Sequence, residues 1–259
     1  MFAKLAKYSK TAAMTARNQT NGGILYLLPN YAIRVVYLLP LMVLWRTLIG
    51  SGVDVGMTLT QMLTYTFISN LFGDLLNVTS PLTHWIIDSH IVSLYQRPMS
   101  IYGHVVAESL GKTLPGLVLF SFPMLLLSPL FGAAALPASF WVFPSLLLCM
   151  SLGFAVEFIF AALLVRLINT SWLVHSIRSA VVWLFSGAML PFDILPFGLG
   201  RLMKYQPLGS LAGAPLSIYA GMAEPVRTVI VQLFWNAVLW PVAVWAFRKA
   251  RERMVSHGG

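Results

Sequence analysis

Charge is scarce in this chain. Of 259 residues only 10% are charged, where soluble domains run near about a quarter. With 58% hydrophobic residues and a mean hydropathy of +0.78, this excludes an ordinary soluble domain, whose core could not bury so much apolar surface. Cysteine is nearly absent. The single thiol, Cys149, lies in an apolar run, so no disulfide can form within the chain and no cysteine-rich metal site exists. Cys149 reads as a small core residue. Acidic residues are few, 8 against 17 Lys and Arg, for a net charge of +9. On so apolar a chain that excess reads as basic cytoplasmic ends and loops rather than as a nucleic-acid surface.

Several motifs are missing too. Gly111-Lys112-Thr113 has the closing letters of a phosphate-binding loop, but Val106 stands where the first glycine is required. The tripeptide also starts an apolar run instead of following a buried strand. Lys112 therefore reads as a side chain that snorkels to the headgroups or faces the bundle near the membrane surface. His84, His90 and His104 share one connection, yet His84 and His90 are six apart, which does not put two ligands on one helical face. No Ser/His/Asp or Cys/His arrangement and no His-Glu-x-x-His is found. The amino-terminal twenty residues hold no apolar core before a cleavage site, so the first span is expected to direct insertion itself.

What is present is a set of long apolar runs. Crossing the hydrocarbon core takes about 20 apolar residues, and six segments qualify: 24–49, 57–80, 105–127, 138–163, 172–190 and 226–247. The second is the most polar. Pro29, Pro40, Pro115, Pro123 and Pro144 fall inside these runs, and kinks or ragged ends are expected there. The predicted fold is an all-α membrane protein with one transmembrane domain, 1–259. Residues 1–20 are predicted to form an amphipathic surface helix, with Lys4, Lys7, Lys10 and Arg17 against a modest stripe of Phe2, Leu5, Ala12, Ala13 and Ala16. Such a helix would lie along anionic lipid headgroups. Basic residues gather before span one, around the second-to-third connection (Arg97, Lys112), at the fourth-to-fifth turn (Arg166, Arg178) and after span six. This bias places both termini in the cytoplasm. Asn18, Asn77 and Asn169 match a glycosylation pattern, but this topology puts none of them outside.

Two connections carry most of the remaining chain. The cytoplasmic one, 81–104, sets Trp85, Ile86, Ile87, Ile91, Leu94 and Tyr95 among polar residues, the pattern of a short amphipathic helix ended by Pro98. The external one, 191–225, is rich in proline and glycine yet apolar, which fits short helices dipping back into the outer leaflet and buried in protein.

Charges inside the spans are the strongest chemical signal. Arg34, Asp74 and Glu157 lie on the order of 9–15 Å from the inner surface at 1.5 Å per residue. A charge at such depth costs at least about 2.5 kcal/mol unless partnered. Arg34 is expected to pair with Asp74 or Glu157. Glu108, nearer the surface, is expected to be solvated.

The stretch SGAMLPFDILPFGLGRLMKYQPLGSLAGAPLSIYAG resembles the region before the last span in permease subunits of type-2 ABC exporters. The residues that carry the likeness are Ser186-Gly187, Leu190-Pro191, Pro196, Pro207-Leu208, Ala214-Pro215, Gly221, then Gln232 and Trp235 in the last span and Gly258-Gly259 at the end. The stretch IIDSHIVSLYQRPMSIYG is similar to the family's cytoplasmic segment with its Arg97-Pro98. Ser89 and Tyr95-Gln96 stand where the family often has glycine and a leucine pair. The resemblance covers the whole chain in layout. It implies a six-span exporter subunit of the cell membrane that is not itself an enzyme and binds no cofactor. ATP and Mg would sit on two cytoplasmic ATPase subunits, and a second permease subunit, identical or homologous, would complete the complex. Segment 84–98 would be the coupling helix, with Asp88, His90, Tyr95, Arg97 and Pro98 as ATPase contacts. Pro191, Pro196, Pro207 and Pro215 would belong to the external gate. Lipids are the other implied partner, and nucleic acid is not one. Spans poor in charge favour an amphipathic, peptide or drug-like cargo. The alternative is a stand-alone six-span secondary transporter, which calls for a central charge relay and inverted repeats; neither is read here. A membrane-embedded enzyme lacks a catalytic constellation.

Overall fold

The structure is a computed structural model that describes all residues except 1, 22, 24–27, 54, 98 and 259, and among the described residues it is helical with no strand. In chain order the α-helices are α1 (Phe2–Thr20), α2 (Leu28–Gly50), α3 (Leu59–Leu71), α4 (Gly73–Leu76), α5 (Leu82–Ile87), α6 (His90–Tyr95), α7 (Ile101–Gly116), α8 (Phe122–Leu127), α9 (Val142–Arg166), α10 (Ser171–Phe185), α11 (Leu199–Tyr205), α12 (Gly213–Tyr219) and α13 (Pro225–Gly258). Among the described residues four stretches are long and apolar enough to cross a membrane: Tyr31–Gly50, Ile101–Phe131, Val142–Arg166 and Pro225–Glu252. The chain is thus an α-helical, membrane-embedded protein. Exposed apolar side chains such as Val36 and Val43 on α2 and Ile230 and Phe234 on α13 suit contact with lipid tails.

The long helix α9 is the spine. Its side chains from Leu152 to Phe158 are all buried, and it packs against α13, α4, α5, α10 and α12. Gly153 lets it approach the chain after α4 closely: a Cβ there would lie 2.8 Å from Val78. Two apolar clusters fill the interior. One joins α2, α3, α9 and α12 through Leu38, Trp45, Phe67, Leu152 and Leu216. The other joins α5 and α6 to α7, α9, α10 and α13 through Trp85, Val105, Phe158, Val174 and Phe247.

Several expected boundaries move. The 57–80 run is helical only as α3 and α4, broken at Phe72 (φ −102°) and finished at Asn77. Residues 77–80 leave the helix to serve buried charges described below. The 172–190 run stops at Phe185, because Gly187 takes φ +78°, a left-handed termination that glycine permits without a Cβ clash. Tyr65 and Ser69 of α3 then donate to the carbonyls of Gly187 and Ala188. The run 105–127 grows to Ile101–Phe131. Prolines act according to position. Pro29 and Pro144 sit within first helical turns, where a missing N–H costs nothing, and Pro123 follows directly on a π-helical turn inside a continuous helical stretch. Pro40 sits inside an unbroken helix, whereas Pro115 is followed at once by a π-helical turn, Leu117–Ser121.

The amino-terminal helix is docked rather than free along its length. Gly103, Ala107 and Gly111 repeat every fourth residue on α7, so they share one face. A Cβ on Gly103 would meet the Tyr8 ring at 2.6 Å, and one on Gly111 would meet the Ala12 carbonyl at 2.4 Å. The Tyr8 hydroxyl also accepts from the Ser100 N–H at 3.1 Å. Lys7, Lys10 and Arg17 remain exposed. Gly111 of the Gly-Lys-Thr triplet is therefore a helix-packing glycine in mid-helix, and Lys112 pairs with Glu108 at 3.3 Å. Glu108 is held in that pair, its side chain only 20% exposed, rather than simply solvated.

Candidate functional site

The segment 81–104 forms two short helices, α5 and α6, instead of a single one over 84–98. The break is Ser89, whose φ of +55° is left-handed and disfavoured for residues other than glycine. Each helix turns an apolar face inward. Leu82, Trp85 and Ile86 of α5 and Ile91 and Leu94 of α6 are buried among α7, α9 and α13 residues. Trp85 lies 5.5 Å from His104 and 6.2 Å from His90, ring to ring.

The outward face holds Asp88, His90 and Arg97, all exposed, with Ile87 and Val92 exposed at 42% and 54%. Tyr95 is turned the other way. It is half-buried, its ring is covered by the Arg251 guanidinium at 5.4 Å, and its hydroxyl is buried without a hydrogen-bond partner. Burial pushes its phenol up to about 12, against the opposing pull of Arg251, so it is neutral at physiological pH. Pro98 lies outside the described residues.

Beneath this segment sits a buried ion pair that the sequence reading missed. Glu157 of α9 faces Arg178 of α10, their side chains 7% and 8% exposed. The Glu157 carboxylate also accepts from the backbone N–H of Ser80 at 3.0 Å and from the Ser80 hydroxyl. Arg178 donates to the Val78 carbonyl and, at 3.5 Å, to the Asn77 side-chain oxygen. Its Nε stands against Glu157 as a charge contact, off the hydrogen-bond direction. The non-helical residues 77–80 thus tie α9 and α10 to the start of the cytoplasmic segment. A cavity of 240 Å³ opens beside the pair, edged by Thr83 and His84 of α5 and His175 of α10.

Arg34 and Asp74 meet, with Arg34 donating to both carboxylate oxygens at 2.6 Å. Glu157 is not part of that pair. The side chains of Arg34 and Asp74 are 27% and 47% exposed and border a cleft of 420 Å³ with Tyr31, Tyr37 and Lys112.

At the other end of the bundle, 191–225 folds into short helices, and residues 209–220 are all buried. Phe192 is its hub. A Cβ on Gly187 or Gly213 would meet the Phe192 ring at 2.8 or 2.6 Å, and one on Gly200 would meet the Phe192 carbonyl at 2.0 Å. The last span is fastened to this cap: Gln232 donates to the Ser210 carbonyl at 2.8 Å and Trp235 to the Tyr205 carbonyl at 2.7 Å. Pro191 and Pro215 are buried beside or within short helices, Pro207 is half-buried and Pro196 is exposed.

Comparison with known protein families and with curated proteins finds no match for this chain.

Proposed function

We propose that this chain is the permease subunit of an ATP-driven ABC-type exporter and carries an amphipathic, peptide or drug-like cargo across the cell membrane by alternating access. The observation that carries the reading is the two-faced cytoplasmic segment. Its inner face is packed into the ends of α7, α9 and α13. Its outer face offers Asp88, His90, Arg97, Ile87 and Val92 to solvent, a mixture of apolar anchors and orienting charges suited to a protein groove.

In this reading α3–α4 and α10 complete six spans, both termini lie in the cytoplasm, and the cap over 191–225 is the external gate. A second permease subunit, identical or homologous, and two ATPase subunits complete the machine. ATP and Mg are held by the ATPases, and this chain supplies no hydrolytic site. Closure of the ATPase pair displaces α5 and α6, and the buried Glu157–Arg178 contact passes the displacement to α9 and α10, shifting the bundle between two arrangements. Tyr95 serves inside the lever, as packing between α6 and Arg251.

The rival reading, a stand-alone secondary carrier, draws on the two ion pairs within the helices. Purification of the tagged chain from its native membrane in mild detergent separates them. The exporter reading expects ATP-hydrolysing subunits to co-purify, and to be lost when Arg97→Glu and Asp88→Arg are combined. A chain that purifies alone and transports without ATP would overturn it.

A further inference from the structure

A second cavity lies at the opposite end of α13 from the cytoplasmic segment. It has a volume of 210 Å³ and is lined by α11, α12 and the first turns of α13, far above the roughly 10–15 Å³ that seats one water. Three charged side chains line it: Lys204, Glu224 and Arg227. Lys204 is already neutralised by Asp193. Glu224, just before α13, and Arg227, in its first turn, are both exposed, and among the described residues neither makes an ion pair. Arg227 instead lies over the Tyr205 ring at 5.3 Å. Two hydroxyl residues, Ser210 and Ser217, are 1% and 5% exposed and also line the cavity; the Ser210 hydroxyl is itself buried, with no hydrogen-bond partner among the described residues. Phe192 and Val231 supply apolar wall.

We propose that this cavity binds a small zwitterion, its oxyanion seated by Arg227 and its ammonium by Glu224. A ligand of opposite polarity satisfies both charges at once, whereas a simple anion or a simple amine leaves one of them facing it with the wrong sign. A phosphoethanolamine group has this chemistry, either free or as a phospholipid headgroup, and its methylene linker suits the apolar wall. The site needs no ATPase and no sidedness to be measured, so its failure and that of the transport reading are distinguishable.

The test is calorimetric titration of the full chain in detergent with O-phosphoethanolamine. Saturable binding is expected, at least tenfold tighter than for inorganic phosphate or ethanolamine alone. Arg227→Gln and Glu224→Gln should each weaken it at least tenfold with an unchanged melting temperature, and Arg227→Lys should retain part of it. Should a glutamine variant misfold, Glu224→Asp and Arg227→Lys, which keep the charges but change their reach and geometry, serve in its place and should each weaken binding. Nanodiscs then identify the source. If phosphatidylethanolamine blocks the soluble ligand and phosphatidylglycerol does not, the ligand is a headgroup; if neither blocks, it is a soluble zwitterion. Absence of saturable binding in detergent, equal affinity for phosphate alone, or wild-type affinity in well-folded variants would overturn the proposal.

Discussion

Arg178→Met is the most informative single substitution in this chain. It removes the cation facing Glu157 and leaves a carboxylate whose side chain is 7% exposed. Removing one partner of a buried ion pair costs about 3–5 kcal/mol. Here the Ser80 donors still reach the carboxylate, which pulls the cost toward the lower figure. Against that, the Val78 carbonyl and the Asn77 side chain lose the guanidinium, and a buried polar group left unpaired costs about 1–3 kcal/mol. The two corrections roughly offset, so a destabilisation of about 4 kcal/mol is expected. The double variant Glu157→Leu/Arg178→Met removes both charges together. Apolar replacement of a buried pair is often neutral, so the double variant should be more stable than Arg178→Met alone by at least about 2 kcal/mol, the residual loss reflecting the unpaired Ser80 and Val78 groups. The assay is reversible unfolding of the purified chain in detergent micelles, followed by tryptophan fluorescence, for the wild type, both single variants and the double. Additivity of the two single changes to within about 0.5 kcal/mol would refute the claim that the two side chains act as one buried unit.

Three further outcomes are expected. Gly111→Ala, whose Cβ would press on the Ala12 backbone at 2.4 Å, should lift α1 off α7 and speed proteolysis within residues 1–20; Gly103→Ala should do less, because the Tyr8 ring can swing aside, and equal protection of wild type and Gly111→Ala would contradict the docking. Ser89→Gly should raise stability by up to about 1 kcal/mol, since the left-handed cost of roughly 1–2 kcal/mol exceeds the added chain freedom of about 0.5–1 kcal/mol; a lower melting temperature would count against the α5–α6 break. Arg34→Glu should lower the yield of folded chain in the membrane by opposing two carboxylates, and Arg34→Glu/Asp74→Arg should restore it; a double variant no better than the single would dissolve the pairing.

The long apolar helices were legible because each carries a sustained apolar stretch that few charges interrupt. The second and fifth runs were not delimited correctly, because what ends them is tertiary. Gly187 turns left-handed where α3 side chains take up the freed carbonyls, and residues 77–80 uncoil to reach Glu157 and Arg178. Depth matched Arg34 to Asp74 or Glu157, and the fold selects Asp74. Arg178 could not: its basic charge read as a loop residue, although its place midway along the apolar Ser171–Phe185 helix was an available sign of burial. The two-helix form of segment 81–104 hangs on one backbone angle at Ser89, which no apolar pattern encodes. The glycines of segment 191–225 read as loop signals, whereas several of them make room for Phe192.

The central claim, that the outer face of α5 and α6 seats against an ATPase, is tested most directly by site-directed crosslinking. The single native thiol, Cys149, is buried, so an introduced cysteine is the accessible one. Val92→Cys and Ser93→Cys, at exposed positions, should crosslink in native membranes to an ATP-binding subunit, and adduct yield should change when ATP is trapped. Leu94→Cys, at a buried position, should give none. Absence of any adduct from the exposed positions, in membranes where the chain is folded, would contradict the account.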